Sequence, residues 1–187
     1  MPTTEYPTLL ARNGARLPVL PLTPGTGNPL AHFNAGLSAA TRNLFWPHAY
    51  DATTIARQIT RHAQGIDRSF LLFAGDDAVG YFFLWNFAHA VPLLGLGLTD
   101  AWQGQGLGAQ MLDRLITEAR AADRVGVELT TVTTNERAFR LYRRAGFQHL
   151  GEIENVAGDG RMVHEYRMFL SLKTGALPPD RTFQPPV

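Results

Sequence analysis

The sequence contains no cysteine, no long apolar run and no excess of either charge. Without cysteine, the 187-residue chain can form no disulfide, thiolate nucleophile or thiolate metal site. Its 17 Lys+Arg against 16 Asp+Glu leave a formal charge of +1, which gives no basic excess for collecting phosphates. No stretch approaches the roughly 18 apolar residues of a membrane helix, and residues 1–16 lack the apolar segment of a secretory signal. These absences favour a soluble cytoplasmic protein that binds neither nucleic acid nor membrane.

Metal and hydrolase chemistry also lack their usual sequence patterns. The six histidines are scattered, with no H-x-x-x-H or H-E-x-x-H spacing that would place two of them on one helix face. The G-x-S-x-G motif of many hydrolases does not occur either. We therefore expect no metal site.

The length of the chain and its 45% hydrophobic content predict one domain with one substantial core over residues 1–187. Prolines and glycines at both ends predict loop or tail extensions over residues 1–14 and 174–187. Two prolines limit Arg16–Leu22 to an edge strand at best. No internal repeat or linker divides the remainder.

Helix and strand signals alternate between these ends. Residues 30–45 predict one or two short helices, and Asp51 is a suitable N-cap for a helix that runs to about Ala63. The predicted strands are a hairpin of 69–74 and 79–87, followed by 91–98, 125–132 and 164–172. Two further helices interrupt the later strands, so we expect a mixed α/β protein with a sheet of six or seven strands.

A glycine-rich turn follows the predicted strand 91–98. It leads into an amphipathic helix whose apolar residues recur at helical spacing from Gly108 to Ala119. Backbone N–H groups at a helix start are unpaired and carry the positive end of the macrodipole, and glycines let a phosphate approach them. The spacing fits neither a dinucleotide fingerprint nor a nucleotide-triphosphate loop. We predict a pyrophosphate site, with a simple connection into a packed helix as the alternative.

A second helix is predicted after the strand 125–132. Thr133 and Glu136 have the spacing of a capping box, and Gly146 is expected to end the helix. Asn135 and Tyr142 are seven residues apart, so they share one helix face and could line one ligand.

Taken together, the two segments resemble the GNAT acyltransferase superfamily. The resemblance rests on Gln103-x-x-Gly106-x-Gly108 followed by Asn135-x-x-Ala138-x-x-Leu141-Tyr142-x-x-x-Gly146-Phe147, and it covers about residues 71–170. It implies a GNAT-like α/β fold with a mixed central sheet, splayed in the middle between strands 91–98 and 125–132, and with helices on both faces. It also implies an N-acetyltransferase that moves an acetyl group from acetyl-CoA to a primary amine by direct transfer in a ternary complex.

The acceptor implied by the resemblance is a small molecule or a peptide or protein terminus. A non-catalytic acyl-CoA-binding or regulatory domain on the same fold is the alternative, and a homodimer stays open.

Roles carry over from the family to matching positions. Tyr142 would give a proton to the departing thiolate, and Asn135 would contact the pantetheine arm. Main-chain groups at Leu98 and Thr99 would pair with that arm as an added strand does. The pyrophosphate would lie on the main-chain N–H groups of Gln103, Gly104, Gln105, Gly106, Leu107 and Gly108.

The sequence departs from the family at the general base. Many members carry a glutamate on the strand that corresponds to 91–98, but that segment has no titratable residue here. Asp100, His89 and Glu128 are nearby alternatives, each with an ordinary structural explanation, and the base stays unassigned.

Two segments, 35–50 and 85–89, are expected to form the wall of the acceptor site. Such an apolar wall favours a small amine, an amino-acid-like compound or a peptide terminus over a polyamine, which needs several carboxylates. The segments supply Leu37, Phe45, Trp46, Tyr50, Trp85 and Phe87, with Arg42, His48 and His89 as cationic or titratable groups.

Overall fold

The computed structural model describes residues 7–180, which form eight β-strands and five α-helices. The strands are β1 (Thr8–Leu10), β2 (Arg16–Pro21), β3 (Arg68–Ala74), β4 (Asp77–Trp85), β5 (Leu93–Leu98), β6 (Gly126–Val132), β7 (Gln148–Val156) and β8 (Met162–Ser171). The helices are α1 (Gly27–Ala35), α2 (Ala39–Leu44), α3 (Ala52–Ala63), α4 (Leu107–Ala121) and α5 (Glu136–Arg144), with 3-10 turns at Pro24–Thr26 and Asp100–Trp102.

All eight strands belong to one sheet in the order β1-β2-β3-β4-β5-β6-β8-β7. Every neighbouring pair is antiparallel except β5 and β6, which are parallel. The predicted mixed α/β class is confirmed, and the strand count is one or two higher than expected. The two additional strands are β1, which is only three residues long, and β7, whose side chains alternate between exposed and half-buried and so leave no apolar run.

Two local expectations about the N-terminal region are wrong. Residues 8–10 form a strand inside the segment expected to be loop or tail, while residues 1–6 lie outside the described residues. The strand β2 is not an edge, because it pairs with β1 on one side and β3 on the other. Between its two prolines, which have no amide hydrogen to donate, Val19 donates its amide to the Pro7 carbonyl at 2.9 Å. At the other end, residues 172–180 contain no helix or strand, and residues 181–187 lie outside the described part.

Helix starts follow local capping chemistry. The Asp51 cap is confirmed, because its Oδ1 accepts from the Thr54 amide at 3.0 Å and α3 ends at Ala63. The cap of α5 is Asn135 rather than Thr133, since the Asn135 Oδ1 accepts from the Ala138 amide at 3.2 Å. Thr133 lies too early for this role, because its amide still donates to the His164 carbonyl of β8.

Helices cover both faces of the sheet, as expected. On one face α4 and α5 pack over residues such as Leu129 and Met168, and Met111, Leu115 and Tyr142 are buried there. On the other face α1 and α3 pack over Tyr81, Phe83 and Trp85 of β4. None of the helices within residues 7–180 combines the length and apolar composition needed to cross a membrane.

The sheet is splayed between its two parallel strands, as the resemblance to the GNAT superfamily implies. The β5–β6 ladder consists of one pair, Leu93 opposite Glu128, whereas β6 and β8 pair over seven positions. Beyond Leu93 the two strands diverge toward their carboxyl ends. A gap therefore opens through the middle of the sheet.

Candidate active site

A cavity of about 690 Å³ occupies the gap in the sheet. Residues 93–98 of β5 and 130–132 of β6 line it from the two sides of the gap. It extends to the α4 and α5 starts on one face of the sheet and to residues 43–47 on the other. We call these two ends the donor side and the acceptor side. A cavity of this form allows two molecules to meet within the sheet.

The donor side is built on the glycine-rich turn before α4. Gly104 and Gly106 have φ values of 79° and 81°, in the left-handed region that side chains disfavour. Gly106 is the N-cap residue of α4 and has no side chain to satisfy the first amides of the helix. The turn therefore presents unpaired N–H groups and the positive end of a 15-residue helix to the cavity.

Two arginines flank this turn, and neither was singled out from the sequence. The Arg12 amide donates to the Gln105 carbonyl at 3.0 Å, which ties the β1–β2 connection to the turn. On the other side, Arg137 Nη1 of α5 donates to Gln103 Oε1 at 3.0 Å. Both arginines line the cavity. They add positive charge to a place that already favours anions.

Asn135 and Tyr142 lie on the cavity from opposite ends of α5, as the seven-residue spacing predicted. The Asn135 Oδ1 is used in the helix cap, which leaves the donors of its amide group for a ligand. Tyr142 is 4% exposed, and burial raises its pKa well above the ordinary value for a phenol. It is therefore a protonated phenol at neutral pH.

The structure brings most of the predicted donor-site residues to the cavity. Thr99 is not among them, and its amide donates to the Val79 carbonyl at 2.9 Å. Gln105 and Leu107 also lie off the lining, with Leu107 packed fully into the core. Those on the lining are Leu98, Gln103, Gly104, Gly106, Gly108, Asn135 and Tyr142.

None of the three alternatives for a general base lines the cavity. The Asp100 carboxylate accepts from Ser38 N, Ser38 Oγ and Thr41 Oγ1, and these bonds hold its pKa near 2. Glu128 is fully buried in an ion pair with Arg167, at 3.1 Å. His89 is exposed in the connection after β4. Asp100 and Glu128 thus have clear structural roles.

The strand β5 carries glycines where it faces the acceptor side. A Cβ at Gly95 would overlap the Phe83 ring, and one at Gly97 would lie 2.5 Å from the Phe45 ring. The two rings occupy the space in which a side chain from this strand would project. This packing explains physically why β5 supplies no carboxylate.

The expected aromatic wall is only partly on the cavity. Phe45, Trp46 and Trp85 line it, whereas Leu37 and Phe87 are core residues. Arg42, Tyr50, His48 and His89 also lie off the lining. Thus three of the aromatic residues form the wall.

His48 belongs to a buried polar cluster behind that wall. Its Nδ1 lies 2.6 Å from the Ala49 carbonyl and its Nε2 lies 3.3 Å from the Tyr81 hydroxyl. Burial lowers the pKa of His48 to about 4, so the ring is neutral at pH 7. The neutral ring donates from Nδ1 to the carbonyl and accepts from the Tyr81 hydroxyl.

One carboxylate on the acceptor side, that of Glu165, was not predicted from the sequence. Glu165 of β8 is half-buried and lines the cavity, and its Oε2 accepts from Asn155 Nδ2 at 3.0 Å. Glu165 lies opposite Val132 at the carboxyl end of β6. The alternation of β8 could have placed it on this face, but only if the pairing of β6 with β8 had been known.

Among the described residues, no group of three or more His, Asp or Glu is arranged to hold a metal ion.

Solved structures share this fold. The yncA protein of Salmonella typhimurium, whose structure contains its cofactor acetyl-CoA, is 20% identical at a TM-score of 0.67, covering 89% of this chain and 100% of that one. Mycobacterium smegmatis RimJ in complex with CoA-disulfide is 12% identical at a TM-score of 0.74, covering 89% and 86%. Spermidine N-acetyltransferase from Vibrio cholerae, in complex with CoA and spermine, is 17% identical at 0.66, covering 83% and 95%.

The splayed sheet with a glycine turn at a helix start is shared with these structures and defines a GNAT-like fold. The sequence itself matches the acetyltransferase (GNAT) family over residues 38–147. The chain belongs to the GNAT family of acetyltransferases. The resemblance noted from its two motifs is thereby confirmed.

Proposed function

We propose that this protein transfers an acetyl group from acetyl-CoA to a primary amine, by direct attack within a ternary complex. The observation that carries the proposal is the cavity through the β5–β6 gap, which joins an anion-binding helix start to an aromatic pocket. A thioester held from one face of the sheet would meet an amine held from the other.

The pyrophosphate of acetyl-CoA would lie on the turn from Gln103 to Gly108. Its negative charge matches the unpaired amides of α4 and the two flanking arginines, Arg12 and Arg137. The acetyl-CoA and CoA-disulfide in the yncA and RimJ structures support a coenzyme of this kind on this fold.

The pantetheine arm would enter the gap beside β5. Backbone groups alternate in direction along a strand, and the Thr99 amide points to β4, so the peptide groups of Leu96 and Leu98 face the gap. They would pair with the amides of the arm as they would with another strand. Asn135, at the other side of the gap, would add a side-chain contact.

Transfer needs one bond made and one broken. The amine nitrogen attacks the thioester carbonyl carbon, and the C–S bond breaks with the electrons leaving on sulfur. A main-chain N–H in the gap would stabilise the oxygen that becomes negative during attack. Tyr142 would protonate the thiolate, a step for which its position on the cavity suits it.

A non-catalytic acyl-CoA-binding domain is the second candidate, because β5 carries no titratable residue and none of Asp100, His89 and Glu128 lines the cavity. Calorimetry with acetyl-CoA and an assay for released thiol, run with a panel of amines, separate the two. Binding together with amine-dependent thiol release supports the enzyme. Binding without release for any amine favours the second candidate, and absence of binding contradicts both.

A further inference from the structure

The acceptor side of the cavity has one wall that offers no carboxylate to an ammonium group. On β5, Gly95 and Gly97 are covered by the rings of Phe83 and Phe45, and Trp46 continues the apolar surface. The faces of these rings can attract an ammonium ion, but they cannot accept its proton. A carboxylate for a charged amine must therefore come from the opposite wall.

The opposite wall carries one carboxylate. Two acidic residues line the cavity within the described part of the chain, Glu136 and Glu165. Glu136 belongs to the first turn of α5 on the donor side, and its exposed carboxylate pairs with Arg140 at 2.8 Å. Glu165 lies on the acceptor face of β8, beside Val132 and Asn155, and forms no salt bridge with a described residue.

The position of the Glu165 carboxylate is fixed by its neighbours. Asn155 donates to Oε2 at 3.0 Å and so occupies one of the roughly four acceptor positions of a carboxylate. The two arginines of β8 and of the β7–β8 turn form their ion pairs with other carboxylates. Arg167 pairs with Glu128, and Arg161 pairs with Asp159 at 2.5 Å and donates to Asn43 at 2.9 Å. The remaining acceptor positions of Glu165 are therefore open to a ligand.

A latch across the acceptor side limits the size of that ligand. The β7–β8 turn is bonded to the segment between α2 and α3, with the Gly158 amide donating to the Trp46 carbonyl at 2.8 Å. Arg161 adds the bond to Asn43, and a Cβ at Gly158 would overlap the His48 backbone, so the two segments touch main chain to main chain. A polypeptide lying across this face would have to break the latch.

We propose that Glu165 binds the ammonium group of the acceptor and takes up its proton, and that the acceptor is a small amine carrying one positive charge. This inference rests on the acetyltransferase function proposed above. The ammonium gives a proton to the Glu165 carboxylate, and the neutral nitrogen then attacks the thioester carbonyl carbon. As the C–S bond breaks, the nitrogen loses its second proton, which replaces the one that Tyr142 gives to the sulfur, and the proton held by Glu165 passes to solvent. The products are the acetamide, CoA thiol and one proton.

The test compares Glu165→Gln with a control from the same hairpin. Glu154→Gln is that control, because its side chain is 69% exposed and pairs with His164 on the other face of the sheet. Benzylamine, phenethylamine, spermidine and a short peptide with a free amino terminus serve as acceptors. We expect the wild type to favour a monoamine. Glu165→Gln should lower its kcat/KM about 100-fold or more, while acetyl-CoA affinity measured by calorimetry stays unchanged.

Further variants guard against misfolding and separate the two parts of the proposal. Glu165→Asp keeps the carboxylate and should recover part of the lost activity. With aniline, whose nitrogen is neutral at pH 7, the loss in Glu165→Gln should be much smaller, and an equal loss would overturn the proton uptake.

Wild-type activity retained in Glu165→Gln would overturn the assignment of Glu165 but leave the acetyltransferase intact. A preference for spermidine or the peptide would overturn the acceptor class alone. A wild type that binds acetyl-CoA and acetylates no amine would overturn the proposed function itself, and the inference with it.

Discussion

Arg137 Nη1 donates a hydrogen bond to Gln103 Oε1 at 3.0 Å and so joins the start of α5 to the turn before α4. Gln103 in turn donates from Nε2 to the Leu98 carbonyl and to Thr41 Oγ1, both at 3.2 Å. One side chain thus connects β5, α2 and α5 at the mouth of the donor side. The groups expected to meet the coenzyme are held in place before it arrives, which lowers the ordering cost of binding.

Replacing Arg137 with glutamine should weaken acetyl-CoA binding about tenfold, because a charge-assisted contact to phosphate is lost. The loss should shrink at high salt, where the charge is screened. Calorimetry at low and high ionic strength measures both effects. Arg140→Gln is the control, since that residue lies on the same helix but is 61% exposed and pairs with Glu136. Equal affinities in the two variants would contradict the role of Arg137.

Alanine at Gly106 should weaken acetyl-CoA binding about tenfold or more, because the new Cβ enters the turn where a phosphate would approach. The φ of 81° also strains any side chain there, so some stability is lost as well. Gly65→Ala controls for that strain, since Gly65 has a φ of 72° and open space around its Cβ position. We expect similar falls in Tm for the two variants but a fall in affinity for Gly106→Ala alone.

Tyr142→Phe removes one hydroxyl and keeps the packing of the ring against Phe147. If the phenol protonates the thiolate, kcat should fall roughly 10- to 100-fold with little change in the KM for acetyl-CoA. Tyr166→Phe, which alters a ring packed against Phe139 away from the cavity, should keep the wild-type kcat. An unchanged kcat in Tyr142→Phe would leave Tyr142 only a packing role.

Acidification should destabilise the protein through His48. Its pKa is about 4 in the folded state, against an ordinary value of 6.5 for a solvated histidine, so between these values the unfolded chain binds a proton that the folded chain does not. The stability linked to this group is therefore complete above pH 6.5 and declines as the pH falls toward 4, by at most about 1.4 kcal/mol per pH unit.

Denaturant unfolding between pH 7.5 and 5 measures this contribution. The variant His48→Gln should be less stable at pH 7.5 and should lose less stability on acidification than the wild type. His32→Gln, at an exposed position of α1, should keep the wild-type pH dependence. Parallel curves for wild type and His48→Gln would show that His48 does not titrate in this way.

Local signals predicted the start of α4 on the donor side and the start of α3 on the opposite face. The helix after Gly106 and the cap at Asp51 depend on a few adjacent residues, and both occur as predicted. The start of α5 differs from the predicted one because two residues, Thr133 and Asn135, are both acceptable N-caps by residue type. Asn135 is the cap because Thr133 is still hydrogen-bonded to β8, with its amide donating to the His164 carbonyl.

Two residues of the site, Arg12 and Glu165, reach it through pairing between strands that are distant in sequence. Arg12 reaches the glycine turn because β1 and β2 pair ahead of α4, in a segment whose prolines indicated a loop. Glu165 reaches the acceptor side because β8 inserts between β6 and β7, which no local pattern reveals. The alternatives near β5 in sequence, Asp100, His89 and Glu128, therefore do not include Glu165, the carboxylate on the acceptor side.

The packing of the Phe45 ring over Gly97 ties the two positions together in evolution. A side chain at 97 is unfavourable while the ring is present, and loss of the ring alone leaves an unfilled space beside β5. Each change is harmful by itself, but loss of the Phe45 ring removes the obstacle to a side chain at position 97. A lineage with this arrangement can place a carboxylate at position 97 only after residue 45 has become smaller. The order of these two substitutions is therefore constrained.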